Sequence, residues 1–555
     1  MTFIQATKNI PVILVLAIFL LWITPGVVGR DLWKADEPYS FGLVNHIIKT
    51  GDWIVPTLTG EPFIEKPPLF YITAAGFARA FSPWMKLHDA ARLATAFYVL
   101  LTILFIGLTA RELLSKDYFS IAMILLIGTT GLQETGHKLI TDVAMLAGLA
   151  LGLYGLAVSR RKYILGGLLL GTGAGIGFMS KGLLAPGMLG IIAITLPAIF
   201  AAWREKTYVY TLFIAFAAAL PWFLVWPIAL YLRSPDLFHE WFWTQNIGRF
   251  FSKALIGQRD SHFHYVATLP YFALPSLPLA FWAIWLNRRS WREHTGIQLS
   301  LTAFLVMLIV LSLSSSIRDI YALPMLLPLA LLAAVGAPTL PHRAQRAVNW
   351  FDIGLFGLAA GALWLGWIAM LTGFPSFLAR ALYRLQPDYV TAFNGFLLAA
   401  ACLYTGLWLY STARFSHYNQ AYLINWTCGI VMGWGLLMTL WLPWFEAGSS
   451  YRSMFISLRN EIPACCKTIR ALGLGESERA LFEYYTNMAL QRNVQNSVPG
   501  CNLVLVQSGS TRRREPSLGP GWQIVWEQSR PAKPEKLSKE IFTLYQRGEA
   551  KTMCQ

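Results

Sequence analysis

Long apolar runs broken by short charged segments organise this chain, and the first, "IPVILVLAIFLLWITPGVV" (10–28), sets the pattern. Runs of about 18 or more apolar residues are long enough to cross a bilayer as helices. They predict thirteen membrane helices, over 9–28, 90–111, 118–135, 142–158, 164–180, 183–202, 208–230, 265–286, 297–314, 320–338, 350–372, 391–410 and 421–444. No A-x-A-like cleavage site follows the first run, so it reads as a retained helix and not as a removed signal peptide. Pro270, Pro275 and Pro278 are expected to kink the eighth helix.

The connections between runs supply an orientation. "RELLSKD" (111–117), "RRK" (160–162), "WREK" (203–206), "NRRSWRE" (287–293), "HRAQR" (342–346) and "ARFSHY" (413–418) are short, basic, and each follows an even-numbered span. Short Lys/Arg-rich loops stay in the cytoplasm, which puts the N-terminus there and the exits of odd spans on the far side. The apolar segment "PLFYITAAGFARAFSP" (68–83) would invert the parity of all six loops if it crossed. It is therefore placed in the interface as a juxtamembrane helix.

Composition agrees with this picture. Of 555 residues, 55% are hydrophobic and 13% charged, with a mean hydropathy of +0.48; a soluble domain carries about 25% charged residues. The far side holds the long connections, 29–89, 231–264, 373–390 and a tail from about 446 to 555. The tail has fifteen Lys/Arg against ten Asp/Glu, a helix-like stretch "ESERALFEYYTNMALQR" (476–492), and strand-like pieces "NLVLVQS" (502–508) and "WQIVWEQ" (522–528). The chain thus divides into a transmembrane part, 1–445, and a small soluble α/β domain, 446–555. Cys465, Cys466, Cys501 and Cys554 would face an oxidising compartment such as a periplasm. Cys501 has a partner available in either member of the vicinal pair, and the sequence does not choose between them.

The net charge of +16 is partly the cytoplasmic bias of these loops. The remainder, including Arg249, Arg318, Arg380, Arg384 and "RRR" (512–514), lies on the far side, where it suits anionic lipid head groups or phosphates. Nucleic acid is excluded as a partner, since this surplus has no access to it.

Candidate chemistry gathers on that side. "DLWKADEPY" (31–39) carries Asp36-Glu37, and "GEPFIEKPPL" (60–69) carries Glu65-Lys66 in the same loop. Asp36 followed by Pro38 is also an ordinary helix start. The next outer loops add His137, Lys138 and Asp142 in "GHKLITDVAM" (136–145) and Lys181 in "FMSKGLLAP" (178–186). Carboxylates, lysines and histidines recurring at one depth can grip a phosphate, hold a divalent ion, or both. The run "GGLLLGTGAGIG" (166–177) contains a G-x-G-x-x-G-like pattern, but it lies inside a span with no preceding strand. It reads as close helix packing through small residues.

These stretches, with "SKG" (180–182) and "IYALPMLLPLALL" (320–332), resemble the membrane glycosyltransferases of the GT-C fold, in the branch containing protein O-mannosyltransferases. Within it the resemblance runs to the bacterial aminoarabinose transferases that modify lipid A. It covers nearly the whole chain and implies an α-helical polytopic fold with an outer α/β domain. It also implies a donor sugar carried on undecaprenyl phosphate, a lipid A acceptor, surrounding membrane lipids as partners, a monomer, and a bacterial inner membrane with the site at its periplasmic face. Modified lipid A would attract cationic peptides such as polymyxin less strongly. The outer loops 29–89, 136–142 and 231–264 would build the site.

Carried over by motif, the resemblance implies Asp36, Asp142, Glu65 and Lys66 as catalytic residues, with Lys66, Lys181, Arg249 and Tyr321 on the donor phosphate. Glu65 with His264 or His262 would ligate a metal, for which carboxylate and imidazole favour zinc or manganese. The chain departs from the pattern at "SIRDIYALP" (316–324), where Arg318-Asp319 precede the tyrosine. The chemistry suits these residue types, because cleaving a sugar–phosphate bond releases an anionic phosphate that cations stabilise. A transporter would show repeated halves and charges at the midplane; no second copy of "DE…EKPP" exists, and the charges collect at one surface.

Overall fold

The structure, a computed structural model, describes residues 10–248, 263–314, 317–387, 389–415, 420–492, 501–509, 518, 521–533 and 536–547. Among the described residues, eight helices are long and apolar enough to span a membrane, and two further pairs are bent by 103° and 60° at short breaks. The three remaining expected spans are the shorter apolar helices Val12–Val27, Tyr118–Ile127 and Leu184–Ile199. The chain is a multi-pass membrane protein. Leu69–Phe81, expected at the interface as a juxtamembrane helix, is a 13-residue helix.

The expected span 118–135 divides into Tyr118–Ile127 and Leu132–Thr135. Where it breaks, the amides of Thr130 and Gly131 leave the helical ladder and donate to the carbonyls of Leu274 and Phe272, at 3.0 and 2.7 Å. A Cβ on Gly128 would lie 2.6 Å from Thr427 Oγ1, and one on Gly131 would lie 2.4 Å from the Phe272 ring. The eighth span turns through 103° between His264–Phe272 and Ser276–Leu286, at the prolines that predicted a kink. The glycine run packs as expected: Cβ atoms on Gly148 and Gly171 would sit 2.7 and 2.2 Å from the backbone oxygens of Gly173 and Ala215.

The bent pair Ala421–Leu437 and Leu442–Ser449 leads through Arg452–Glu461 into the tail. There, after the two-stranded ribbon of β1 (Thr57–Leu58) and β2 (Glu61–Pro62) earlier in the chain, lie β3 (Thr468–Leu472), β4 (Ala489–Arg492), β5 (Leu503–Gly509), β6 (Trp522–Lys533) and β7 (Lys536–Arg547). They form one sheet in the order β4-β3-β5-β7-β6, with β3 parallel to β4 and β5 and the remaining pairs antiparallel. The expected helix over 476–492 stops at Thr486, where Asn487 turns left-handed at φ 54° and the chain enters β4. A Cys466–Cys501 disulfide ties the approach of β3 to that of β5, which resolves the choice the sequence left open. Helix Glu476–Thr486 packs along helix Asp36–Thr50, so the sheet unit sits directly on the segment that follows the first apolar helix.

Candidate active site

The site grows from the start of helix Asp36–Thr50. Glu37 is fully buried and accepts from Arg30 Nη1 at 2.6 Å, Arg30 Nη2 at 3.0 Å and Arg92 Nε at 2.7 Å. The backbone amides of Trp33 and Leu139 also donate to it, at 3.2 and 3.1 Å. Arg92 reaches on to the carbonyls of Arg30 and Asp31 and to Asp89. Burial opposes the charge on Glu37, but the two guanidiniums outweigh it and hold the carboxyl well below the ordinary range. This knot pins the first outer loop to helix Leu87–Leu113 and to the loop before helix Thr141–Ser159.

Asp36, one residue earlier, faces the other way. Arg318 Nη2 donates to its Oδ2 at 2.6 Å and Nη1 to its Oδ1 at 3.4 Å. Burial raises the Asp36 carboxyl, yet Arg318, with Lys66 and Lys138 nearby, brings it below its usual value. Arg318 also lies 5.9 Å from the Tyr321 ring centroid, and Lys181 Nζ lies over the same ring at 4.1 Å. Lys181 is hydrogen-bonded to Asp142. Lys66 Nζ donates to Tyr39 OH at 2.8 Å and lies 3.9 Å from Glu65. Burial disfavours its charge, but the oxygens of Tyr39, Tyr71, Glu65 and Asp142 keep the ammonium well above the ordinary lysine range. Burial pushes Tyr39 itself up to about 12.

The structure therefore brings Asp36, Glu65, Lys66, Asp142, Lys181 and Tyr321 into one electrostatic cluster. His264 Nε2 lies 2.8 Å from Asp319, the neighbour of Arg318. Arg249 and His262 lie outside the described residues. Asn246, three residues before Arg249, packs against the turn that follows Lys181: Gly182 has φ +70°, and a Cβ there would strike Asn246 Oδ1 at 2.1 Å. Among the described residues no three His, Cys, Asp or Glu side chains gather as a metal would require.

Arg318 gains from the structure a role that its motif did not indicate. It appeared as a departure from pattern, and it is the direct partner of Asp36. The knot of Arg30, Glu37, Arg92 and Asp89 was missed too. Its signal was present, because "DAAR" (89–92) puts two charges at the mouth of an apolar span, where they persist only if paired. Above Asp36 an open cavity of about 380 Å³ lies between residues 34–39 and the sheet unit, lined on the latter by Ser477, Glu478 and Gln507.

The family model described as dolichyl-phosphate-mannose-protein mannosyltransferase matches residues 65–226. An undecaprenyl phosphate-α-4-amino-4-deoxy-L-arabinose arabinosyl transferase of Pectobacterium atrosepticum is 30% identical over 379 residues, 64% of this chain and 65% of that one. The chain thus spans just under two thirds of that relative. The protein of the same name from Aeromonas salmonicida is 28% identical over 77% of this chain and 75% of its own. Among solved structures, ArnT from Cupriavidus metallidurans bound to undecaprenyl phosphate superposes with a TM-score of 0.69 at 15% identity, over 96% of this chain and 97% of that one.

Proposed function

We propose that this chain, whose fold is that of the GT-C membrane glycosyltransferases, moves 4-amino-4-deoxy-L-arabinose from undecaprenyl phosphate onto a phosphate of lipid A at the periplasmic face of the bacterial inner membrane. The observation that carries the reading is the cluster of Lys66, Lys181 and Arg318 around Asp36 and Asp142 at the ends of membrane helices. It suits a reaction in which charge develops on a lipid-linked phosphate. The names of the similar transferases supply the sugar and the carrier.

In this mechanism the donor phosphate lies against Lys66 and Lys181, with Arg249 and the Tyr321 hydroxyl completing its contacts. Lys181 exchanges part of its bond to Asp142 for the incoming phosphate. An acceptor phosphate oxygen attacks the anomeric carbon, the bond from that carbon to the donor oxygen breaks, and undecaprenyl phosphate departs with the electron pair. The acceptor phosphate has its second pKa near ~6, so at neutral pH it is largely dianionic and no proton need be removed. Asp36 is depressed by Arg318 and is a poor general base. Its task is to hold Arg318 and orient the acceptor or the ammonium of the sugar. Each transfer replaces negative charge on lipid A with an aminosugar, which weakens attraction for polymyxin and other cationic peptides.

One chain supplies every group named, so a monomer suffices. The division at 445/446 into a transferase part and an outer soluble part belongs to this proposal. The test is mass spectrometry of lipid A from cells that make the donor but lack a transferase, expressing this chain or Asp36→Ala. An added aminopentose with the parent alone is expected. Unmodified lipid A from well-folded parent would overturn the assignment of donor and acceptor.

A further inference from the structure

The two residues preceding Asp36 are held by the sheet unit. Lys34 Nζ is paired with Glu478 and, at 2.7 Å, with Glu540. The Ser477 hydroxyl donates to the carbonyl of Ala35. The grip is itself braced, since Tyr451 OH donates to Glu540 Oε2 at 2.6 Å and Gln507 Nε2 to Glu478 Oε1 at 3.3 Å. Glu478 is 2% exposed, so its charge depends on Lys34 remaining in place. From the opposite side, Glu37 is locked by Arg30 and Arg92. Asp36 is the one link between the two grips.

We propose that Lys34, Ser477, Glu478 and Glu540 form a clamp through which the sheet unit positions the Asp36 carboxylate for transfer. They are positioning residues, and the inference rests on the reading of Asp36 given above. The clamp is separate from what docks the two units together. Docking has its own seam further along the helices: the Phe41 and Tyr484 rings are 4.7 Å apart, and Ala480 is so close that a Cβ on Gly42 would lie 2.9 Å from its own. Lys49–Glu483 at 3.1 Å, Arg479–Glu61 at 2.8 Å and His88–Tyr484 at 3.0 Å reinforce that seam. Loss of the clamp therefore frees residues 34–36 without detaching the sheet unit. A displacement of about 1 Å at a reacting group can cost on the order of 10²-fold in rate.

The experiment uses the full chain in lipid nanodiscs, comparing parent, Lys34→Arg, and the double variant Lys34→Met/Ser477→Ala. In the double variant kcat should fall by at least about tenfold while KM for the donor stays within about twofold. Its melting temperature should fall, because Glu478 is left buried without its counter-charge, and Lys34→Arg should stay near the parent. Hydrogen exchange at amides 35–38 should rise in the double variant, while helix Glu476–Thr486 keeps its protection. Parent-like kcat and exchange would overturn the clamp, as would exchange rising throughout Glu476–Thr486, which would mean general undocking. If the parent transfers no sugar, the proposed function falls, and the exchange pattern alone decides the clamp.

Discussion

Asp36 and Glu37 are adjacent, carry the same charge, and have opposite fates. The Glu37 side chain is 1% exposed and shared between two guanidiniums that are themselves buried. The Asp36 side chain is 21% exposed and meets a single guanidinium, Arg318, which is 47% exposed. A helix turn of about 100° per residue is enough to send one carboxylate into the protein and the other towards the cavity. Both oxygens of Glu37 are taken up by buried guanidiniums and backbone amides, so the carboxylate works for the fold. Beside Asp36 the partner is half-exposed, and the carboxylate borders the cavity. Two acidic residues side by side therefore signal little until the partners of each are known.

The contrast breaks first, and most heavily, at Glu37. Glu37→Gln leaves Arg30 and Arg92 without their shared counter-charge; breaking a buried pair of this kind costs about 3–5 kcal/mol. The expected result is a large drop in melting temperature and in recovery of folded protein, whereas Asp36→Asn should melt within about 1 kcal/mol of the parent. Turnover should separate them in the other direction, Asp36→Asn losing roughly 10²–10³-fold. An Asp36→Asn protein with most of its activity would remove the carboxylate from the mechanism.

A subtler effect is expected at Arg318. In the parent the folded Asp36 carboxyl lies below its ordinary value, so its contribution to stability is present above the unfolded value and is lost as pH falls through the lower folded one. Arg318→Met leaves burial as the largest influence, which raises the carboxyl. The acid side of the turnover profile, measured from about pH 4 to 8, should therefore move to higher pH in the variant. Superimposed profiles would show that Arg318 does not set the charge of Asp36. The smallest effect belongs to metal removal. With Lys66, Lys181 and Arg318 already supplying positive charge, thoroughly chelated protein should turn over at the parent rate, and loss restored by zinc or manganese would instead make the ion obligatory.

Much of this was legible in the chain, and the exceptions have physical causes. Helix positions followed from hydropathy, but the divided span at Gly128–Gly131 did not, because the amides of Thr130 and Gly131 donate to carbonyls of Leu274 and Phe272, far along the chain. Asp142 and Lys181 stood out as charges at the mouths of spans, and they meet each other. Tyr321 stood out only through the family motif, and the ring lies under both Lys181 and Arg318. Arg318 itself looked like an irregularity because its meaning depends on a residue 282 positions away. The tail showed a soluble composition and short strands, yet nothing in it announced that Ser477 and Glu478 would reach the backbone and side chain beside Asp36.

By itself, then, the sequence determined the membrane class, the approximate helices, the side on which charge accumulates and most of the residues that meet there. Those features depend on local composition and on the cost of burying charge in lipid, which each segment carries alone. Only the tertiary structure decided which carboxylate faces the cavity, which arginine partners it, and what holds the loop in place. Those are properties of pairs brought together by packing, and Coulomb and hydrogen-bond energies act over a few ångströms of space, whatever the separation along the chain.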